Sequence, residues 1–396
     1  MKRNKILMLA FIMMSGTAQA WEPNNDESKV PSYTLPDVLK CNDGTQVTTK
    51  KQWEKKRRPE VMEMFQGLMF GRTPKEKIQV SYEPLSEQSA YNGKAIIQEV
   101  KFHFQNNGKK HDATLMIVRP AQLKGKKIPV FVGYNFKGNK ETLPGGINGR
   151  RWDYEQIVDH GYAVATMWYF DIYPDDKTKM NESIQTLFSD YTGQLKPDSW
   201  QAIGTWAWGA SRIADYLVTL PWVDKNCLAM IGHSRLGKTS LWAGAQDTRF
   251  RVVISNDSGC GGAATSRRCF GETLYVINTA FPHWFCTKFR EYNNRENELP
   301  FDQHELISLM APRAVYVASA EMDLWADPRG EFTSASNAEP VYNLYGLKGL
   351  GTKEMPGLHQ PIMNSVGYHI RQGIHDVTNY DWRCYLEFCD RHFGKK

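Results

Sequence analysis

The sequence predicts an α/β protein, a three-layer sandwich with a mostly parallel central sheet. Three observations predict it. Strand-like apolar runs alternate with segments of helical period from residue 128 onward. Two of the runs, IPVFVGYNF and GYAVATMWYFD, are continuously apolar, the mark of strands buried on both faces. Strand, tight turn and helix follow one another in LAMIGHSRLGKTSLWAGA.

The elements follow in order. Residues 51–70 carry helical apolar spacing that closes at Gly71. AIIQEVKFHF and DATLMIVRP alternate and read as paired antiparallel strands. After the two buried runs comes a helix, SWQAIGTWAWGASRIADYLVTLP, ended by Pro221. CLAMIGHS is a strand and RLGKTSLWAGAQD a helix; FRVVISNDSG is a strand and HELISLMAP a helix. AVYVASAEMD is a strand, AEPVYNLYGLKG is helical, and DWRCYLEFCDRHF closes the chain as a helix. The two antiparallel strands followed by this alternation outline an α/β-hydrolase fold. Internal repeats, low-complexity tracts and interdomain linkers do not show in the pattern.

The N-terminus reads as a signal peptide over residues 1–20. Lys2, Arg3 and Lys5 precede an apolar run, ILMLAFIMM, and AQA supplies a small-x-small cleavage site. A periplasmic or secreted protein is therefore expected. No Cys stands at the cleavage point for a lipid anchor. No later apolar run approaches the ~18 residues of a membrane span, so no membrane anchor is expected. Residues 21–50 are polar and Pro-containing, an N-terminal arm, and residues 51–396 form a single α/β-hydrolase catalytic domain.

With 41% hydrophobic and 23% charged residues, the composition is that of a globular protein. The formal charge of +6 falls to +3 once Lys2, Arg3 and Lys5 are removed, which gives nucleic-acid binding no support. The seven Cys lack C-x-x-C spacing, which argues against zinc and a dense disulfide framework; one or two disulfides would suit an oxidising compartment. The 12 Trp and 18 Tyr fit both carbohydrate contact and core packing.

The stretch GHSRLGKT fits two patterns. As G-x-x-x-x-G-K-[ST] it is a phosphate-cradling loop, with Lys238 on the terminal phosphate. Such a loop follows the first strand of its domain, and here several strands precede it. It also needs a nucleotide, which is scarce outside the cytoplasm. As a nucleophile elbow it presents Ser234 after Gly232, although the second glycine of G-x-S-x-G is displaced by one, to Gly237.

A serine needs a histidine to take its proton and an acid to orient that histidine. α/β-hydrolases supply them in the order Ser, acid, His. Asp323 lies just past a buried strand and His375 lies in the loop before the last helix, the required order. His359 and His369 compete with His375; His283 and His304 precede the acid; His233, beside Ser234, is expected to point away on the turn. Asp257, past the preceding strand, is an alternative acid, and the residues leave the choice open.

The segments GHSRLGKTSLWAGAQDTRF, ISNDSGCGGAA, RRCFGET, PHWFC, LPFDQHELISLMAPR, DLWADPRGEF and GYHIRQGIHDVTNYDW together resemble bacterial glucuronoyl esterases of carbohydrate esterase family 15. The resemblance runs from about residue 120 to the end. It implies cleavage of the ester between 4-O-methyl-glucuronic acid on xylan and lignin alcohols, with no metal and no cofactor. An acetyl-xylan or general carboxylesterase of the same fold is the alternative. The substrate is the expected partner, and the expected state is a monomer.

Residue by residue, the resemblance implies Ser234 as nucleophile, His375 as base, and Arg235 as oxyanion donor through both its N–H and its side chain. It implies Lys238, Glu272 and Trp325 as contacts of the sugar. Arg267 and Arg268 would add basic surroundings or form a solvated loop. Fungal members carry Cys before the serine and after the histidine; here these are His233 and Asp376. Their acid is a Glu at the position of Asp257. The shorter Asp257 points to Asp323 as the main orienting acid, with Asp257 assisting.

Overall fold

The structure is a computed structural model and describes residues 22–123 and 125–394; the expected signal peptide lies outside them. One ten-stranded sheet organises the chain, in the order β1-β2-β3-β5-β4-β6-β7-β8-β10-β9. β1 (Gln79–Ala90), β2 (Ala95–Asn106) and β3 (Lys109–Pro120) pair antiparallel, and β3 is antiparallel to β5 (Ala163–Trp168). From β5 the sheet is parallel through β4 (Ile128–Asn135), β6 (Val223–His233), β7 (Phe250–Asn256), β8 (Ala314–Ala320) and β10 (Val366–Arg371). The short β9 (Ile362–Met363) closes the edge antiparallel.

Alternate residues of each strand feed two cores. Val130, Val132, Leu228 and Met230 face one layer, and Phe131, Ala229 and Ile231 face the other. The first layer includes α2 (Arg58–Phe65), α4 (Ala202–Leu217), α5 (Arg235–Gln246), α6 (Leu274–Ala280), α7 (Gln303–Ser308), α8 (Pro328–Asn337) and α9 (Glu339–Asn343), and the exposed turn α1 (Lys50–Gln52) leads into it. α3 (Tyr154–Asp159) and α10 (Asn379–Phe393) cover the second. This is the three-layer α/β-hydrolase fold that the alternation predicts.

The differences from the sequence reading have physical reasons. β1 is mostly exposed and carries Pro84 at a register shift, as suits an edge strand with no apolar pattern to read. β10 carries buried His369 and Arg371, which break the apolar run; both are met by Asp381 at 2.8 Å. All seven cysteines are free thiols. Cys41, Cys260 and Cys286 fill the first core, and Cys384 and Cys389 the second, so the disulfides expected of an oxidising compartment do not form. Arg267 and Arg268 do not form a solvated loop. Arg267 is buried on Asp302 at 3.0 Å, and Arg268 on Asp327 at 2.8 Å and Glu27 at 2.7 Å.

The N-terminal arm straps the first layer. The Asn24 carbonyl accepts from Gly271 N–H at 2.8 Å, and the Pro36 carbonyl lies 2.9 Å from His304 Nε2. Among the described residues no helix is long and apolar enough to cross a membrane.

Candidate active site

Ser234 stands between the end of β6 and the start of α5, with φ 59° and ψ −129°. This backbone is rare for a side-chain-bearing residue and lifts the serine off the strand end. Its neighbours must be small. A Cβ on Gly232 would sit 1.9 Å from the Leu236 carbonyl oxygen, and one on Gly237 would sit 2.9 Å from Ser258 Cβ. Leu236, where the strict motif has glycine, is a buried core residue, and Gly237 takes the close approach to the loop after β7. The first N–H groups of α5 lack intrahelical acceptors and favour negative charge beside Ser234.

His375 is held from three sides. Its loop leaves β10 and enters α10 through a capping box of Thr378 and Asp381. Asp381 accepts from Arg371 Nε at 2.8 Å, which fixes the loop's start to its end. Met322 N–H donates to the Gly373 carbonyl at 3.0 Å, which ties the loop to the one carrying Asp323. The result brings His375 Nδ1 to 2.5 Å from Asp323 Oδ2. A carboxylate there keeps the proton on Nδ1 and leaves Nε2 as the accepting nitrogen. The competing histidines are engaged elsewhere: His369 with Asp381 and Tyr316, His359 with the Gln372 N–H at 3.4 Å, His304 with Pro36, His283 with Asp175.

Asp257 is arranged differently. It is buried, and burial, then the nearby Glu331 and Asp323, push its carboxyl well above the usual range. Oδ2 faces Arg371 and the Asp376 N–H, each at 3.4 Å, while Oδ1 has no hydrogen-bond partner. Ligand atoms of Asp257, Asp323 and His375 lie within 4.8 Å of one another, the one grouping among the described residues that could hold a metal ion. The Arg371 guanidinium already supplies positive charge to it.

His233 does not point away from this cluster, contrary to expectation. Its ring centroid lies 4.3 Å from that of His375, and its Nδ1 lies 2.5 Å from Asn256 Oδ1. Asn256 is oriented by Tyr385 at 2.9 Å. Burial, then the neighbouring His375, push His233 well below its usual range, so it stays uncharged against the His375 ring. Asp376, beyond His375, pairs with Arg150 at 2.8 Å and Arg151 at 2.6 Å.

On the other side of Ser234, Lys238 is buried and its ammonium donates to the Ser258 carbonyl at 2.6 Å. Burial lowers its pKa, and Glu272 opposes the shift. Glu272 is itself buried and raised by burial, with Lys238 and the Trp325 indole pulling the other way. Its N–H donates to the Trp325 carbonyl at 3.0 Å, and the Trp325 side chain remains 44% exposed. An exposed indole beside buried polar groups can pack against the face of a sugar ring.

Two groups at the site escaped the sequence reading. Asp175, in the loop after β5, ion-pairs with Arg235 and accepts from His283 and Trp284 at 2.7 Å each. Burial pushes its carboxyl up, but His283, Arg235 and Trp284 outweigh burial and hold it at about 2. Glu331, on α8, accepts from the N–H groups of Ser258 and Gly259 and from the Ser319 hydroxyl, and so frames the loop after β7. No local motif marks either residue.

A family model described as fungal glucuronyl esterase matches residues 102–346. Carbohydrate esterase MZ0003, from an unknown prokaryotic organism, is 43% identical over 99% of this chain and 99% of its own. The 4-O-methyl-glucuronoyl methylesterase of Schizophyllum commune is 30% identical over 86% of this chain and 81% of its own. Among solved structures, a glucuronoyl esterase from Solibacter usitatus superposes with a TM-score of 0.88 at 44% identity, over 93% of this chain and all of its own. Matched to such enzymes along almost its whole length, the chain belongs to the glucuronoyl esterase family of carbohydrate ester hydrolases.

Proposed function

We propose that this chain hydrolyses esters of glucuronic acid, including its 4-O-methyl form, where xylan is joined to lignin alcohols. The carrying observation is the 2.5 Å approach of His375 Nδ1 to Asp323, with the His375 ring 4.3 Å from that of His233, the residue before Ser234. His375 takes the Ser234 proton, and Oγ attacks the ester carbonyl. The carbonyl π electrons move to oxygen, and the oxyanion is met by the Arg235 N–H and guanidinium. Collapse breaks the bond to the alcohol, which leaves with the proton from His375. Water, deprotonated by His375, then attacks the acyl-serine carbonyl; the bond to Oγ breaks, His375 returns the proton to Ser234, and glucuronate is released. Asp323 is the main orienting acid, and Asp257 assists it.

Lys238, Glu272 and Trp325 bind the sugar. Two relatives support the uronate: one is a 4-O-methyl-glucuronoyl methylesterase and another a glucuronoyl esterase. The N-terminal pattern of residues 1–20 supports export to the periplasm or beyond. The test is a comparison of kcat/KM on methyl glucuronate ester and on p-nitrophenyl acetate. The uronate ester is expected to dominate. Dominant acetate turnover would instead assign an acetyl-xylan or general carboxylesterase.

A further inference from the structure

Arg235 is held at its edge and its face by parts of one cluster. Its Nη1 donates to Asp175 Oδ2, while Tyr169 OH donates to the same oxygen at 3.0 Å. The other oxygen, Oδ1, accepts from His283 Nε2 and Trp284 Nε1, both at 2.7 Å. Trp284 is thereby fixed, and its ring lies 4.6 Å from the guanidinium carbon; Phe281, stacked on Trp284 at 3.8 Å, lies 5.3 Å from it. The Asp175 side chain is 2% exposed, so this ion pair is little screened by solvent. Arg235 Nε is buried and without a partner, a charged donor not used by the resting protein.

An unclamped arginine samples many rotamers, and stabilisation of a developing charge requires donors already in place. We infer that Asp175 is a positioning residue for ester hydrolysis: through Arg235 and Trp284 it fixes the guanidinium that meets the oxyanion. The inference rests on the proposed role of Arg235. It is separable from it by a double-mutant cycle on methyl glucuronate ester.

Asp175→Asn keeps the shape and an acceptor for His283 and Trp284 but removes the charge that holds Nη1. It is expected to lower kcat about tenfold or more while KM moves less than about threefold. Arg235→Ala is expected to lower kcat about a hundredfold. In the Arg235→Ala background, Asp175→Asn should cost less than about twofold. Trp284→Phe, which keeps a ring but loses the N–H, should show the same vanishing loss at smaller size. An undiminished loss from Asp175→Asn in the Arg235→Ala background, or no loss in the native background, overturns the inference. A full-rate Arg235→Ala enzyme overturns the role of Arg235 itself and the inference with it.

Discussion

Asp323 gives its Oδ2 to His375 at 2.5 Å, whereas Asp257 turns its Oδ2 toward Arg371 and the Asp376 N–H at 3.4 Å. The two acids thus have different surroundings, although both lie beside the histidine. Asp323→Asn would leave the geometry but favour the wrong tautomer, and kcat is expected to fall about 10³-fold or more. Asp257→Asn mimics a carboxyl that burial already pushes toward its neutral form, and a loss of about tenfold or less is expected. Steady-state kinetics of both variants decide the order, and a larger loss at Asp257 contradicts it.

Glu331 makes a pH-dependent contribution to stability. Burial pushes it from 4.5 up to about 8, against hydrogen bonds from Ser319, Gly259 and Ser258. Between those values the folded protein keeps a proton that the unfolded chain releases, so stability falls as pH rises through this window. The slope from one such proton is at most about 1.4 kcal/mol per pH unit. Glu331→Gln keeps the acceptor for the two N–H groups and should flatten the decline. Denaturant titrations at pH 5, 6.5 and 8 measure it; an equal or steeper decline in the variant refutes the account.

The elbow glycines are unequal. Ala at 232, near the end of β6, would place Cβ 1.9 Å from the Leu236 carbonyl oxygen of α5, and the elbow has no room to yield. Ala at 237 meets Ser258 Cβ at 2.9 Å, a milder overlap that the loop after β7 must move to admit. Gly232→Ala is expected to cost about 3 kcal/mol or more and nearly all activity, and Gly237→Ala about 1 kcal/mol. Thermal melts and activity on one ester substrate rank the two.

Much of this was legible in the sequence because the constraints are local. The Gly232–Ser234 turn and the buried parallel strands each leave a mark within about ten residues, while Asp323 and His375, 52 residues apart, are marked by the strand end and the helix start beside each. The Arg235 clamp leaves none: Asp175, His283 and Trp284 meet across 108 and 109 residues, and each alone is an ordinary loop residue. β10 was hidden because its buried charges are balanced by Asp381, which only the folded chain brings to them. His233 was misplaced because a turn residue's side-chain direction depends on what packs above it, here the ring of His375.

Whether Ser234 attacks a glucuronate ester is read from turnover of benzyl glucuronate ester by the native protein and by Ser234→Ala. The account predicts turnover by the native chain and a loss of at least about 10⁴-fold in kcat for a variant with an unchanged melting curve. A folded Ser234→Ala protein that keeps a tenth or more of the native rate would contradict it.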